Sequence, residues 1–88
     1  MELKINIYST PGCRACAALK RELIKSEYSN LIKHIDLTED PESMSLLREN
    51  GVLSAPTIGV FHKGGINFMT GMRPVKDVDA FIKDTVGL

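Results

Sequence analysis

Two residues of this chain have the type and spacing for redox chemistry: Cys13 and Cys16, in Cys13-Arg14-Ala15-Cys16, the only cysteines present. A Cys-x-x-Cys pair admits three readings: a dithiol that cycles between thiol and disulfide, half of a zinc site, or an inert bridge. A bridge over two intervening residues removes little chain entropy and makes a poor staple. Zinc needs further ligands. The two histidines, His34 and His62, fall in predicted strands without the short ligand spacing of a zinc finger. Position favours the dithiol, because the pair lies where a strand ends and a helix begins.

Those two elements are legible from the pattern of apolar residues. Leu3, Ile5 and Ile7 alternate with Lys4, Asn6 and Tyr8, the period of a strand. Ser9-Thr10-Pro11-Gly12 breaks it. From Cys13 to about Lys25 the period becomes helical, with Ala15, Leu19 and Leu23 on one face, joined by Cys16 and Ala18, and Arg14, Arg21 and Lys25 on the other. Cys13 therefore meets the unpaired N–H groups and positive dipole end of a helix, and Arg14 adds a positive charge. Such a setting lowers a thiol pKa below the free value of about 8.5. Cys16, one turn inward, should be sheltered. In that asymmetry Cys13 attacks a substrate disulfide and Cys16 resolves the mixed disulfide.

The rest of the chain supplies a sheet to hold this turn. Ser26 to Asn30 is turn-like, and Leu31 to Leu37 reads as a second strand. Asp40 caps a second helix with Pro41 at its first position, Met44 and Leu47 facing inward and Gly51 as the stop. Ser54-Ala55-Pro56 leads into a strand from Thr57 to Phe61. Lys63-Gly64-Gly65 is a hairpin turn, not a phosphate loop, since no helix follows it, and Ile66 to Thr70 returns. Gly71-Met72-Arg73-Pro74 starts a last helix with Val75, Val78, Phe81 and Ile82 on its apolar face. The order is βαβαββα: an α/β fold with one four-stranded mixed sheet, its first two strands parallel across a right-handed crossover and its last two an antiparallel hairpin.

Composition narrows the function classes. The 88 residues suit a single domain, 1–88, with no linker or internal repeat. The formal net charge is zero and the Lys and Arg residues are scattered, which argues against a nucleic-acid or membrane-surface partner. Met1-Glu2-Leu3-Lys4 lacks the continuous apolar run of a secretory leader, so a cytoplasmic monomer is expected, in a compartment where structural disulfides are rare.

With Cys13-Arg14-Ala15-Cys16 placed after Tyr8-Ser9-Thr10-Pro11-Gly12, with Lys20 four residues beyond, and with Ala55-Pro56-Thr57 at the place of a cis-proline loop, the chain resembles the glutaredoxins over nearly its whole length. The resemblance implies the thioredoxin fold, with Pro56 cis and facing the cysteines, and no bound cofactor or metal. Catalysis would fall to Cys13 and Cys16. Arg14, Ala15, Ala55, Pro56, Gly71 and Arg73 would contact the substrate, with Tyr8, Pro11 and Gly12 in support. Backbone groups of Ala55 would pair with an extended substrate segment.

Within the family the chain more closely resembles the glutaredoxin-like hydrogen donors of ribonucleotide reductase. That likeness rests on Ile35-Asp36-Leu37-Thr38-Glu39-Asp40-Pro41-Glu42, Gly51, Ala55-Pro56 and Gly71-Met72-Arg73-Pro74, though Met72 replaces the usual aromatic. It implies a protein disulfide as substrate, ribonucleotide reductase as the candidate acceptor, and thioredoxin reductase as the source of electrons. Glutathione-using members carry Cys-Pro-Tyr-Cys, a lysine three residues before the first cysteine, and Gly-Gly-x-Asp-Asp before the last helix. Here those places hold Arg14-Ala15, Thr10 and Gly71-Met72-Arg73-Pro74. Glutathione remains the alternative reductant, and an iron–sulfur or structural binding module a third reading, against which the second cysteine counts.

Four other residues admit two readings each. Tyr8 lines the site or packs beneath its loop. Arg73 docks a partner carboxylate or is merely solvated. Met69 and Met72 form an adaptable apolar rim, or Met69 belongs to the core. His34 and His62 are assigned no chemistry.

Overall fold

The computed structural model describes residues 3–87. Its elements are β1 (Leu3–Ser9), α1 (Arg14–Leu23), a single 3-10 turn (Ser29–Leu31), β2 (Ile32–Asp36), α2 (Pro41–Glu49), β3 (Thr57–His62), β4 (Gly65–Thr70) and α3 (Val75–Val86), the predicted βαβαββα order. The sheet runs β2-β1-β3-β4. β1 and β2 are parallel, while β3 is antiparallel to both β1 and β4.

Because β1 is central, both of its faces are covered. Ile5 and Ile7 pack with Leu19 and Leu23 of α1, Ile58 and Val60 of β3, and Val78 and Ile82 of α3. On the opposite face Tyr8 packs with Leu37 and with Leu47 of α2. Alternation in β1 therefore separates two cores and not core from solvent: of the polar half of the pattern Asn6 and Tyr8 are buried too, while Lys4 is exposed. Gly59 of β3 makes room on the α2 side. A Cβ there would stand 3.1 Å from Tyr8 Cε2 and 3.2 Å from Phe68 Cε1.

Several predicted boundaries shift for local reasons. α1 stops at Leu23, not Lys25, and Ile24 is exposed in the turn that follows. β2 begins at Ile32, because Leu31 closes the 3-10 turn. The hairpin loop has two residues, not three. Lys63 and Gly64 both take positive φ, 51° and 78°, which suits a twisted two-residue turn, and Gly65 already pairs with His62. Ala15, expected on the apolar face of α1, is exposed in its first turn; the buried stripe is Cys16, Leu19 and Leu23.

Each long helix solves its N-terminus differently. α1 is capped by Cys13 itself. The Asp40 carboxylate accepts the Ser43 N–H at 3.2 Å at the start of α2. α3 follows Pro74, which has no side chain to cap it, and the Val75 N–H instead donates to Glu22 Oε1 of α1 at 3.0 Å. Two more links join α3 to the turn that follows α1: Ser26 Oγ donates to Asp79 Oδ1 at 2.6 Å, and Lys83 Nζ lies 3.1 Å from Glu27 Oε2. α1, and with it the cysteine turn, is thus held against α3 by polar ties as well as by apolar packing.

Candidate active site

Strand register gathers the site. Tyr8 pairs with Thr57, Thr57 with Thr70, and Ser9 with Asp36, so the end of β1, the start of β3 and the ends of β4 and β2 share one edge of the sheet. Three loops leave from that edge: Thr10 to Cys13, the segment ending at Pro56, and Gly71 to Pro74. The second and third are tied together, since the Gly71 N–H donates to the Pro56 carbonyl at 2.8 Å. Thr57 Oγ1 donates to the Ser54 carbonyl at 2.7 Å and fixes the middle loop. The Ala55–Pro56 peptide is cis, and Pro56 is buried.

Cys13 and Cys16 form a disulfide with Cα atoms 5.2 Å apart. The two sulfurs differ in surroundings. Cys13 is the N-cap of α1, with extended backbone (φ −89°, ψ 110°), and is partly exposed; its Sγ accepts the Cys16 N–H at 3.1 Å. Cys16, in the first turn, is only 2% exposed. A groove of about 430 Å³ runs past the disulfide, lined by Thr10 to Arg14, Cys16, Ala17 and Lys20. Pro11, Gly12, Arg14 and Ala15 are all exposed around it. Among the described residues, no three His, Cys, Asp or Glu side chains cluster so as to hold a metal ion, and no helix is long and apolar enough to cross a membrane.

The Glutaredoxin family model matches residues 5–63, more than half of the chain, from within β1 to the first residue of the β3–β4 turn. The chain belongs to the glutaredoxin family. With the paired cysteines at the head of α1, it is a thiol–disulfide oxidoreductase. No curated protein sequence matches it significantly. Solved structures show that it has the thioredoxin fold. It is similar to chloroplastic thioredoxin z (24% identical, TM-score 0.74, covering 93% of this chain and 76% of that one). A mutant thioredoxin from Halobacterium salinarum is 18% identical with a TM-score of 0.76, covering 98% and 76%. Malassezia sympodialis thioredoxin is 16% identical with a TM-score of 0.69, covering 93% and 73%.

Against this glutaredoxin site the remaining candidate residues can be placed. Tyr8 is 1% exposed, and its hydroxyl accepts from Asn6 Nδ2 at 3.1 Å; it packs beneath the loop and does not line the groove. Burial, chiefly, pushes its pKa above the ordinary tyrosine value, with Asp40 adding to the effect and the Asn6 bond opposing it. Arg73 is exposed, with its Nε donating to the Thr70 carbonyl at 3.3 Å. Met69 packs against the larger core, and Met72 is 42% exposed beside Arg73. His34 and His62 lie in different strands and do not meet: His34 pairs with Ile7 across β1–β2, and His62 with Leu3 and Gly65.

Three further features take their place only in the structure, Lys20 among them although it already counts toward the family likeness. Lys20 lines the disulfide groove and an adjoining hollow with His34 and Asp36. Partial burial and then the Lys20 charge lower the His34 pKa, while two hydrogen bonds from Thr38 hold the Asp36 carboxyl below its usual range. Glu22 caps a helix 53 residues away in sequence, a link that no local pattern encodes. Leu53, 85% exposed, stands beside the cis-proline loop. An exposed leucine gives no signal until burial is known.

Proposed function

We propose that this oxidoreductase reduces protein disulfides through a two-cysteine cycle in which Cys13 attacks and Cys16 resolves. The reduced Cys13 thiolate attacks one sulfur of a substrate disulfide. A Cys13–substrate bond forms, and the other substrate sulfur leaves as a thiolate that takes up a proton. Cys16, giving up its proton, attacks Cys13 Sγ and expels the second substrate thiolate. Two electrons have then passed to the substrate, whose two thiolates take up one proton released by Cys16 and one from solvent, and the protein holds the Cys13–Cys16 disulfide. A dithiol reductant, for which we favour thioredoxin reductase in a reducing cytoplasm, restores the thiols by the reverse exchange.

The observation that carries this reading is the contrast between the two sulfurs. One is partly open at a helix N-terminus and accepts a backbone N–H at 3.1 Å; the other is 2% exposed. The N–H groups that meet Cys13 stabilise a thiolate there, and burial disfavours one at Cys16. We assign supporting roles to their neighbours: Arg14 and Ala15 flank the attack point, Pro11 and Gly12 shape the turn, and Ala55, Pro56, Gly71 and Arg73 belong to the two loops that the Gly71–Pro56 bond ties together.

Ribonucleotide reductase is the acceptor we favour, on the likeness of Gly71-Met72-Arg73-Pro74 to the hydrogen-donor subgroup. Membership of the glutaredoxin family favours a second reading, in which glutathione supplies the electrons and Cys13 alone removes glutathione from mixed disulfides. Turnover of insulin and of ribonucleotide reductase, measured in parallel with thioredoxin reductase plus NADPH and with glutathione, separates the two. The first reading predicts support by the reductase. Brisk turnover with glutathione alone, together with full deglutathionylation by Cys16→Ser, would establish the second in its place.

A further inference from the structure

A second groove, of about 410 Å³, opens between Thr10 of the cysteine loop and Ala55 of the cis-proline loop and extends along α2. Its floor is apolar: Leu47 is buried, and Met44 and Val52 are partly covered. Leu53 forms an edge that is 85% exposed, the most exposed of the large apolar side chains among the described residues. Arg48, in the last turn of α2, is the one charged side chain among the groove's lining residues, and it makes no ion pair among the described residues.

We infer that this groove selects the partner: it takes an extended segment of the protein substrate that carries a large apolar side chain followed by an acidic one. The inference rests on the protein-disulfide reading above and adds the chemistry of the partner. A segment pairing with the backbone of Ala55 is already at the mouth of the groove. Its neighbouring side chain can then enter between Leu53 and the Leu47–Val52 floor, where Met44 adapts to its shape. Seating it covers the exposed face of Leu53, which water otherwise solvates at a cost proportional to area. Arg48 also lines the groove, and its planar fork matches a carboxylate and repels a lysine. Specificity is thereby separated from chemistry, since neither cysteine is among the groove's lining residues.

The test uses peptides whose single cysteine is held as a mixed disulfide with thionitrobenzoate, and dithiothreitol as reductant, so that the physiological electron source does not enter. Leu–Glu, Leu–Lys and Ser–Glu pairs are placed on either side of the cysteine, and hydroxyethyl disulfide serves as a substrate too small to reach the groove. The wild-type protein should prefer Leu–Glu over Leu–Lys by about fivefold in kcat/KM at low salt, the scale of a rim charge contact. Arg48→Glu should invert that preference. Leu53→Ser should lower kcat/KM for the leucine peptides by about fivefold. All three proteins should reduce hydroxyethyl disulfide equally, which certifies folding.

Equal turnover of the peptides by wild type, or a preference unchanged in Arg48→Glu, overturns the groove assignment and leaves the dithiol cycle standing. A raised KM for glutathione in Arg48→Glu with the peptide preference intact would overturn it in favour of glutathione. Failure to reduce any of the disulfides removes the dithiol cycle and the groove together.

Discussion

Reversing the charge of Arg14 should raise the pKa of Cys13 in the reduced protein, and the size of the rise follows from where Arg14 sits. Cys13 caps α1 and Arg14 is its first helical residue, exposed and outside any ion pair among the described residues. A thiol starts near 8.5. The helix terminus and the Cys16 N–H both favour the thiolate and so bring Cys13 below that value, and about 1.4 kcal/mol is one pKa unit. Two unit charges in water interact by about 1 kcal/mol at 4 Å and about half that at twice the distance, so for a side chain one residue along, exchanging attraction for repulsion in Arg14→Glu is worth on the order of 1 kcal/mol, or about 0.7 unit, at low ionic strength. At physiological salt the Debye length is about 8 Å, and the shift should shrink to about 0.3 unit.

A glutamate in the first turn suits the helix dipole, so the fold is not at risk. The assay is the pH dependence of alkylation at each cysteine, read by mass spectrometry. Turnover is a poorer readout, because a thiolate of higher pKa is intrinsically more nucleophilic and part of the effect cancels. A Cys13 pKa that does not move at low salt, or that moves equally at high salt, would refute the electrostatic reasoning. Alkylation of Cys16 ahead of Cys13 at neutral pH would refute the roles themselves.

Other perturbations probe the scaffold. Gly59→Ala pushes a methyl group against the Tyr8 and Phe68 rings; overpacking of about 1–3 kcal/mol, less about 0.4–1 kcal/mol of chain entropy, should lower the urea midpoint at unchanged slope. A midpoint at or above wild type would show that the rings give way freely. Tyr8→Phe should cost about 1 kcal/mol, by leaving Asn6 Nδ2 without its acceptor, and should leave turnover intact; a loss of turnover beyond the loss of stability would return Tyr8 to the site. The Glu22 carboxyl is held below its usual range, chiefly by the Val75 N–H, so it stabilises the fold above its unfolded pKa, and this is lost as pH falls through the depressed folded value. Acid unfolding of Glu22→Gln should therefore be less steep than that of wild type, with the two curves converging at low pH; parallel curves would show that the cap contributes nothing.

How much was legible in the sequence depends on how local each cause is. Helical spacing with Cys13 ahead of it, Asp40-Pro41 as a helix start, and the hairpin at Lys63-Gly64 are local signals, and they give the element order and the place of the cysteine turn. Strand alternation in β1 is local too, but it reports only that two faces differ. Burial of Asn6 and Tyr8 depends on α2 covering the second face, a tertiary fact. The tie from Glu22 to Val75 spans 53 residues, and the bond from Gly71 to Pro56 depends on strand register, so neither has a local signature. The exposure of Ala15 leaves Cys16, Leu19 and Leu23 as the buried stripe of α1, a narrower face than the apolar spacing alone marks out. The edge at Leu53 becomes visible only once the loop it occupies has a place.

The central claim concerns which sulfur meets the substrate. Cys13→Ser and Cys16→Ser are each reduced, mixed with a protein disulfide substrate, quenched with acid and read by peptide mass spectrometry. A mixed disulfide on Cys13 should accumulate in Cys16→Ser, while Cys13→Ser should yield none. An adduct on Cys16 forming as fast in Cys13→Ser as on Cys13 in Cys16→Ser would contradict the account.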